Sequence, residues 1–427
     1  MLIKPLSPAY SPDNFTENIN NKSSSAITSY NTFIIYLIVG ENSGDLSASK
    51  IMERLKIRLP NVKFMGIGGP LMEKQGLNSL FPMAEIAIMG LLEVIPKIFK
   101  IKKLIQATVD NIKEIKPNLI ITVDSLGFNK RVAIKVKKEN LNIPLVHFIA
   151  PSVWAWKPKR AKVMAGIYDY LLCLFAMEIP YFEKEGLPTF FVGHPIIESG
   201  ADKGEAKNFL DKYLPQDVNN LKNKNYLEKT DKKYLLLMPG SRTTEVSRLL
   251  PIFVQSVEAI KINFPNLKII LPTVPHLKNY LDNYISLNNL NYLVVTEQAD
   301  KYDAFQLASL AIVASGTVTL ELALAKVPTI VAYRVNPITS FIARFLIKIK
   351  YASIINIIAN KEIIKEYIQR NCKVKNIADK AISMLKNPTQ YQTDSSEILR
   401  ILQEMGYENF SPSDKAARVI QNILLKK

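Results

Sequence analysis

A carboxylate stands directly after one of the short apolar runs of this sequence. Leu119–Val123 has the character of a buried strand, and Asp124 follows it at once. Loops at the carboxyl ends of parallel strands bind the ligands of α/β proteins, so Asp124 is placed to act as a general base. The same carboxylate can equally cap the next turn, and the residue alone leaves both interpretations open.

Two later junctions combine small residues with groups that bind phosphate. The first follows the run Tyr234–Met238 and has the sequence Pro-Gly-Ser-Arg, with Glu245 and Arg248 on the predicted helix beyond it. This junction predicts a diphosphate-binding site, formed by backbone amides, a helix N-terminus, Ser241 and the guanidinium of Arg242.

The second junction follows the run Leu310–Ala314. The backbone of Ser315, Gly316 and Thr317 can cradle phosphate, and Glu321, about one helical turn later, can accept hydrogen bonds from ribose hydroxyls. Two such junctions in one half of the chain predict a nucleotide-sugar site there. The sequence has no Asp-x-Asp motif, so we expect no metal ion to bridge the diphosphate.

The first half of the chain has two glycine loops. The loop Gly40–Asp45 precedes a helix that we predict to begin near Leu46, with Ser43 or Asp45 as its cap. Alternatively the loop holds an acceptor sugar through hydrogen bonds, with Glu41 and Ser43 as candidates. It is not a Walker A motif, and the second loop, GIGGP, lacks the third glycine of the dinucleotide fingerprint, which argues against NAD.

Both tryptophans of the chain, Trp154 and Trp156, lie in the segment PSVWAWKPKR, immediately before three cations. Aromatic faces stack on sugars or lie at membrane interfaces, and the cations can meet phosphate. A tryptophan packed in the core beside a solvated basic turn is the alternative. We add Trp154 and His194 to the acceptor side, although a lone histidine more often has a structural role.

Two apolar stretches are flanked by cations. The first, at 86–95, runs into four lysines between positions 97 and 103, and the second is a helical stripe at 338–349. Such patterns are typical of insertion into an anionic leaflet, with an ordinary buried helix face as the alternative. We predict membrane contact at the first stretch, through Ile88, Met89, Leu91 and Leu92.

Composition restricts the class of protein. A length of 427 residues suits two domains, and an apolar share of 48% excludes global disorder. The net charge of +17 indicates anionic partners or, alternatively, lysines that only solvate the surface. Two distant cysteines argue against a disulfide framework or a zinc site and favour a reducing cytoplasm. No apolar run is long enough to span a membrane, and residues 1–32 are predicted to be a disordered extension rather than a secretory signal.

Short, almost wholly apolar runs alternate with helical stretches along the chain, which is typical of parallel sheets buried on both faces. The pattern predicts two doubly wound α/β domains, at 33–200 and 233–336, joined by a polar linker at 201–232. Strand signals vanish at 337–427, where we predict a helical region.

In their order along the chain, the motifs resemble those of the lipid-A-disaccharide synthase family. The matching segments are GENSGD (40–45), GIGGPLM (66–72), MGLLEV (89–94), PSVWAWKPKR (151–160), VGHP (192–195), PGSR (239–242), ASGTVTLELAL (314–324), VAYRVNP (331–337) and NIIANKEIIKE (356–366). The resemblance implies a GT-B architecture, with two Rossmann-like domains and C-terminal helices that cross back.

The resemblance also implies an activity and partners. It implies an inverting hexosyltransferase, free of metal and cofactor, that moves 2,3-diacylglucosamine from UDP to the 6-hydroxyl of 2,3-diacylglucosamine 1-phosphate in lipid A biosynthesis. The expected location is the cytoplasmic face of the inner membrane, as a peripheral protein on an anionic surface. A homodimer with exchanged C-terminal regions is implied as well.

Individual residues carry over from the family. Asp124 matches the family's proposed base, and Arg242 matches an arginine expected at the UDP diphosphate. Gly127 departs from the family, which usually has a second aspartate there, so Asp124 is the only carboxylate of its loop. The residues that fall in the family's nucleotide region are Ser315, Gly316, Thr317, Glu321 and Asn356.

Two other functions compete with this interpretation. One is another GT-B enzyme that uses a UDP-sugar, such as an epimerase or the peptidoglycan N-acetylglucosaminyl transferase. A soluble epimerase would not need the apolar and basic stretch at 86–103. A noncatalytic protein that binds anionic lipid would use the charge of +17. Asp124 at a strand end argues against a noncatalytic protein, and the absence of a nucleic-acid motif argues against a nucleic-acid partner.

Overall fold

The computed structural model describes residues 32–86, 98–218, 233–335, 350–388 and 395–426. The chain forms two compact units. Unit 1 comprises the described residues up to Pro195 together with those from Glu408 onward, and unit 2 comprises those from Ile196 to Tyr407. The extension predicted at 1–32 lies, apart from residue 32, outside the described residues.

Unit 1 is built on a seven-stranded parallel sheet with the spatial order β3-β2-β1-β4-β5-β6-β7. Chain order reverses between β1 and β4, where Val39 pairs with Val123. In open α/β sheets, ligands bind beyond the strand ends at such a reversal. The strands are β1 (Ile34–Val39), β2 (Lys63–Ile67), β3 (Asn78–Ser79), β4 (Leu119–Val123), β5 (Leu145–Phe148), β6 (Tyr170–Cys173) and β7 (Thr189–Phe191).

Unit 2 repeats this design with a six-stranded parallel sheet of order β10-β9-β8-β11-β12-β13. Its reversal lies between β8 and β11, where Met238 pairs with Val313. The strands are β8 (Tyr234–Met238), β9 (Lys268–Pro272), β10 (Tyr292–Val295), β11 (Leu310–Val313), β12 (Thr329–Tyr333) and β13 (Lys365–Ile368). The predicted class, two doubly wound α/β domains, is confirmed.

Helices connect the strands of both sheets. In chain order they are α1 (Asn42–Arg58), α2 (Pro70–Lys74), α3 (Ile98–Ile115), α4 (Leu126–Lys138), α5 (Arg160–Ala165), α6 (Ile179–Glu183), α7 (Ala206–Tyr213), α8 (Pro215–Val218), α9 (Thr243–Lys261), α10 (Lys278–Leu287), α11 (Gln298–Leu307), α12 (Val318–Leu324), α13 (Ile354–Ala359), α14 (Val374–Lys386), α15 (Ser395–Glu404) and α16 (Pro412–Leu425). Within the described ranges, none of these helices is long and apolar enough to cross a membrane.

The central strands are largely apolar because both faces of each sheet are covered. In β1, Ile35 and Leu37 belong to one core, whereas Tyr36 and Ile38 belong to the core on the opposite face. Successive side chains of a strand point to opposite faces, so a strand between two helical layers has no polar face.

The end of the chain returns to unit 1. Helix α16 packs on α1, where Ala417 and Ile420 join the core of the unit. At the rim of this contact, Arg58 donates to both oxygens of Asp414, with Nη2 at 2.8 and 2.7 Å. A bidentate arginine–carboxylate pair fixes both side chains, so it links the end of α1 to the first turn of α16.

Two segments differ from expectation. The described part of the predicted linker at 201–232 forms α7 and α8, and the Nζ atom of Lys212 contacts Asp300 on α11 at 2.8 Å, so this part belongs to unit 2. The region 337–427 was predicted to be helical without strands. That prediction is wrong, because the region contains the strand β13. All four residues of β13 are only half-buried because it is an edge strand, and its sequence KEYI lacks a continuous apolar run.

Candidate active site

Asp124 lies at the carboxyl end of β4, at the chain reversal of unit 1. Its amide donates to the carbonyl of Phe148 on β5 over 2.9 Å. The side-chain amide of Asn129 donates to the carbonyls of Val123 and Asp124, both at 2.9 Å. The N-cap of α4 is Ser125, without a side-chain cap hydrogen bond, so the capping alternative for Asp124 is not supported.

The environment of Asp124 suits a base. Burial raises the pKa of its carboxyl, and a backbone hydrogen bond from Ser125 partly opposes this shift. Asp124 and Ser125 have left-handed φ angles of 46° and 38°, and Ile149, directly after β5, has a φ of 77°. Side chains with a Cβ atom rarely adopt these angles, and such strain collects where the surrounding structure fixes a functional group. A carboxyl with a raised pKa is better matched to proton abstraction near neutral pH.

The loop Gly40–Asp45 leaves β1, the neighbour of β4, so it lies beside Asp124. The approach is close, since a Cβ atom on Gly40 would come within 3.0 Å of Oγ of Ser125. In this loop, Glu41 is half-buried and Ser43 is exposed. Both therefore lie at the same sheet edge as Asp124, and their contact with an acceptor stays a prediction.

Helix α1 begins at Asn42 rather than near Leu46, and its N-cap, Glu41, makes no side-chain cap hydrogen bond. The prediction that Ser43 or Asp45 caps this helix is therefore wrong. Both residues lie inside the first turn instead of before it, so neither side chain can reach back over the free amides.

Asp45 instead caps a different helix. Its buried carboxylate accepts hydrogen bonds from the amides of Gly69 and Met72 at 3.0 Å and from Leu71 at 3.1 Å, at the start of α2. A Cβ atom on Gly69 would lie 2.6 Å from Oδ2 of Asp45, so only glycine allows this approach. The two glycine loops are thus joined by one carboxylate.

The segment PSVWAW follows β5, which pairs with β4 on the side opposite to β1. Nε1 of Trp154 donates to Oε1 of Glu178 at 3.2 Å, so this half-buried ring is tied to the interior. Trp156 is exposed. The two tryptophans therefore differ. Trp154 is anchored in the interior, as the core-packing alternative expected, whereas Trp156 is exposed to solvent. Glu178 was missed because a buried carboxylate leaves no periodic signal in the sequence.

His194 lies further away along the sheet. It follows β7, three strands from β4, or roughly 14 Å at the usual strand spacing. Burial lowers its pKa to about 4, and its ring lies 5.4 Å from that of Phe175, centroid to centroid. The structure does not bring His194 next to Asp124, and a neutral ring packed on Phe175 favours a structural role.

The Pro-Gly-Ser-Arg junction of unit 2 connects β8 to α9. Gly240 has a φ of 126°, and a Cβ atom there would lie 2.7 Å from Oε2 of Glu245, so glycine is required. Ser241 precedes Arg242, the N-cap of α9. The Arg242 side chain is 59% exposed and has one distant contact, from Nη1 to Oε1 of Glu245 at 3.5 Å. Tyr333, missed in the sequence, donates to the same oxygen at 3.1 Å.

The second junction lies beside the first. The amide of Ala314 donates to the carbonyl of Met238 at 2.8 Å, so the loops after β8 and β11 leave adjacent strands. Gly316 and Thr317 are exposed, whereas the hydroxyl of Ser315 donates to the carbonyl of Ala352 at 2.8 Å. The structure therefore brings together the two phosphate junctions, which are more than seventy positions apart in the sequence.

Glu321 has protein partners within unit 2. Its oxygens accept from Nζ of Lys301 at 2.9 and 3.0 Å, and Oε1 accepts from the hydroxyl of Tyr302 at 3.0 Å. A carboxylate has about four acceptor sites, so Glu321 can still accept a further hydroxyl. Lys301 and Tyr302 orient it, and they were missed because their contact depends on the packing of α11 against α12.

Asn356 is fully buried. Its Oδ1 accepts from the amides of Ile363 and Ile364 at 2.8 Å, and its Nδ2 donates to Ile364 O and to Glu366 Oε1 at 2.7 Å. Glu366 also accepts from the amide of Ala352 at 2.8 Å. These contacts favour a role for Asn356 in shaping the segment beside the second junction rather than in direct contact with a nucleotide.

The predicted membrane residues Ile88, Met89, Leu91 and Leu92, and the stripe at 338–349, lie outside the described residues. Within the described part of the chain, no group of three or more His, Cys, Asp or Glu side chains is arranged to hold a metal ion.

Comparison with known proteins decides among the enzymes that this geometry permits. A model of the lipid-A-disaccharide synthetase family matches residues 35–420. The chain belongs to this family. It is therefore a glycosyltransferase of lipid A biosynthesis, and the resemblance stated from the motifs is confirmed. The alternatives, an epimerase, the peptidoglycan enzyme or a noncatalytic lipid binder, are not favoured.

Relatives and solved structures agree with this family member's fold. The lipid-A-disaccharide synthase of Rickettsia bellii (strain OSU 85-389) is 41% identical over 92% of this chain and 99% of its own length. A putative UDP-N-acetylglucosamine 2-epimerase from Listeria monocytogenes has a TM-score of 0.61 at 12% identity, over 92% of this chain and 95% of its own. The UDP-GlcNAc 2-epimerase from Neisseria meningitidis bound to UDP-GlcNAc has a TM-score of 0.53 at 11% identity, over 93% and 100%. These structures support the GT-B fold alone.

Proposed function

We propose that this family member transfers 2,3-diacylglucosamine from UDP to the 6-hydroxyl of 2,3-diacylglucosamine 1-phosphate, with inversion. One observation carries the proposal: two phosphate junctions leave the paired strands β8 and β11 where the chain order of unit 2 reverses. Ligands of open α/β sheets bind at such reversals. The likeness in fold to an epimerase bound to UDP-GlcNAc adds support for a UDP-sugar donor.

On the donor side, Arg242 would bind the diphosphate. Its guanidinium is exposed and, within the described part of the chain, its one ion pair is the long contact with Glu245, so it can turn to a phosphate and form two parallel hydrogen bonds. Ser241, Gly316 and Thr317 would contribute backbone and hydroxyl groups. Glu321, already oriented by Lys301, would accept from ribose hydroxyls. Ser315 and Asn356 would shape the loop.

On the acceptor side, Asp124 would act as the general base. The oxygen of the 6-hydroxyl attacks the anomeric carbon of the donor, the bond from that carbon to the UDP oxygen breaks, and the hydroxyl proton passes to Asp124. Charge growing on the departing UDP is met by Arg242 and the backbone amides of both junctions. Glu41, Ser43 and Trp154 lie on loops at the same sheet edge as Asp124, which supports a role in holding the acceptor.

The experiment that tests this function follows UDP release and disaccharide formation by purified protein from UDP-diacylglucosamine. We expect both to require the acceptor 1-phosphate, and UDP and disaccharide to form in equal amounts. UDP released equally without acceptor would indicate hydrolysis, and formation of a 2-epimer would indicate an epimerase. Either result would contradict the proposal.

For location, we propose a peripheral protein on the cytoplasmic face of the inner membrane. Helix α3 begins at Ile98, six positions after the predicted contact residue Leu92, and its second residue, Phe99, is 76% exposed beside the exposed Lys100, Lys102 and Lys103. An exposed aromatic ring among cations supports insertion into an anionic leaflet, where each cation contributes about 1 kcal/mol. The implied homodimer with exchanged C-terminal regions also remains a proposal.

Sedimentation with vesicles that contain anionic lipid tests this location. Binding should weaken as salt rises, since exposed charges are screened beyond about 8–10 Å. Replacing Met89 and Leu92 with Ser should release protein into the supernatant yet spare turnover of short-chain, water-soluble substrates. A matched variant, Ile262→Ser, removes a side chain that is 82% exposed on unit 2 and should not change binding. Equal binding by both variants and the wild type would place membrane contact elsewhere.

A further inference from the structure

Trp156 is an exposed tryptophan with two cations close to its ring. Its side chain is 37% exposed. Nζ of Lys157 lies 4.2 Å and Cζ of Arg160 lies 4.9 Å from the centroid of its ring. Both distances are within the range of cation–π attraction. The indole therefore holds two positive groups close together at the surface of unit 1.

The charge around this ring is not balanced. Four cations lie between positions 157 and 162, and positions 151–168 contain no Asp or Glu. Among the residues that the structure describes, no ion pair is formed by any of these four, which are Lys157, Lys159, Arg160 and Lys162. Like charges at this spacing repel one another, so the segment favours an anion that neutralises them.

The backbone of Lys157 has an unusual conformation. Its φ of 52° lies in the left-handed region, which a lysine rarely adopts. Such a conformation persists only where the surrounding structure over-determines it, at a cost of about 1–3 kcal/mol. Lys157, in this conformation, and Arg160 both lie within cation–π distance of the ring of Trp156.

The segment begins beside Asp124, the proposed base, within the same unit. It follows β5, and β5 pairs with β4, the strand that ends at Asp124. The amide of Asp124 donates to the carbonyl of Phe148, the last residue of β5, at 2.9 Å. The cations and the base therefore lie on adjacent loops at one sheet edge.

We propose that Lys157 and Arg160 bind the phosphate of the acceptor, with Trp156 holding both cations in position. This proposal rests on the proposed function, because it assumes that the acceptor presents its 6-hydroxyl to Asp124. A sugar carries its 6-hydroxyl and its anomeric phosphate at opposite ends of one ring. A base and a phosphate site on adjacent loops match that arrangement, and a guanidinium binds phosphate with two parallel hydrogen bonds.

The test compares two acceptors with the full-length protein: short-chain diacylglucosamine 1-phosphate and the same sugar with a free 1-hydroxyl. The key variant is Lys157→Asn with Arg160→Gln, because asparagine tolerates the left-handed conformation without the charge. Lys138→Asn, which removes an exposed cation of α4, is the matched control. Arg160→Lys keeps the positive charge but loses the two parallel hydrogen bonds of the guanidinium. This milder variant tests the proposal if the double variant fails to fold.

We expect the wild type to prefer the phosphorylated acceptor in kcat/KM. The double variant should lose roughly 10- to 100-fold of that preference, as expected for lost charge-assisted hydrogen bonds. The loss should appear in KM for the phosphorylated acceptor, with KM for the donor unchanged. Arg160→Lys should lose part of the preference, and Lys138→Asn none.

Three results would overturn the proposal. An unchanged preference in the folded double variant would exclude these cations from phosphate binding. An equal loss with both acceptors would mean that the segment supports only the fold. If the double variant loses binding to anionic vesicles yet keeps its preference, the cations bind lipid phosphate instead. By contrast, a wild type that forms disaccharide with neither acceptor would contradict the proposed function itself.

Discussion

The indole nitrogen of Trp154 donates a hydrogen bond to Oε1 of Glu178 over 3.2 Å. The other carboxylate oxygen accepts from the amide of Phe175, also at 3.2 Å. Burial raises the pKa of Glu178 to about 7, and these hydrogen bonds only partly oppose the shift. The tryptophan segment beside Asp124 is thus fastened by a buried group that titrates near neutral pH.

Glu178 should make stability depend on pH. Its pKa is about 7 in the folded state and 4.5 in the unfolded chain, so the folded state holds the proton more tightly. The contribution of Glu178 to stability should be largest below about pH 4.5 and fall by about 3 kcal/mol as pH rises through 7, with no further change once the folded group is fully ionised. Glu178→Gln should remove this slope, which urea unfolding at several pH values measures.

The buried histidines act in the opposite direction in that experiment. The pKa of His147 is lowered to about 3 and that of His194 to about 4, so their contribution to stability is lost as pH falls below about 6.5. Both are present in the wild type and in Glu178→Gln, and the difference between the two proteins therefore isolates Glu178. A difference that stays constant from pH 5 to 8 would contradict the assignment.

Asp45→Ala should destabilise unit 1. The substitution leaves the amides of Gly69, Leu71 and Met72 without their partner, and loss of a helix cap costs about 1–2 kcal/mol. Ser43→Ala, two residues earlier and exposed, is the matched control and should change stability by less than about 0.5 kcal/mol. Chemical denaturation measures both. Equal stabilities for the two variants would exclude Asp45 as a cap.

Asp124→Asn should lower turnover by at least about a hundredfold, as expected for loss of a general base. Asparagine tolerates the left-handed backbone at this position, so the fold and UDP affinity should remain. Steady-state kinetics, with circular dichroism and calorimetry as controls, test this. Near-normal turnover in the folded variant would remove Asp124 from the mechanism.

Arg242→Ala should weaken UDP binding by about 1.5–3 kcal/mol, the usual value for hydrogen bonds to a charged group. Arg242→Lys should restore only part of this affinity because a lysine ammonium cannot donate the two parallel hydrogen bonds of a guanidinium. Lys278→Ala, an exposed cation on α10, is the control and should leave affinity unchanged. Titration calorimetry with UDP gives all three values. Unchanged affinity in Arg242→Ala would place the diphosphate elsewhere.

Gly127→Asp restores the carboxylate that the family usually has. A Cβ atom at Gly127 meets nothing within 4 Å, and the residue lies in the first turn of α4, where a negative charge is favourable. The fold should tolerate the change. A second carboxylate near Asp124 raises its pKa further, so the acidic limb of the pH profile for kcat/KM should move to higher pH. Gly127→Ala should not move it, and an unmoved limb in Gly127→Asp would contradict the idea that both carboxylates share one site.

Much of the fold was predictable because it depends on local chemistry. Continuous apolar runs identify strands buried on both faces. Asp124 stands out because it directly follows such a strand, and Arg242 because it lies in the short loop after another. Strand β13 was missed because an edge strand needs no continuous apolar run. The helix cap at Asp45 was assigned to the wrong helix because a carboxylate can reach amides that are distant in sequence.

The sequence by itself determined the two α/β units, the family and the polar residues that follow the strands. Periodicity and motifs depend only on residues that are close together in the sequence. Only the tertiary structure decided which loops lie together. Strand order reverses between β1 and β4 and between β8 and β11, and that order depends on long-range pairing that leaves no local signal. The same holds for burial, which determines the pKa of Asp124 and of Glu178: a carboxyl group loses water only when distant segments pack over it.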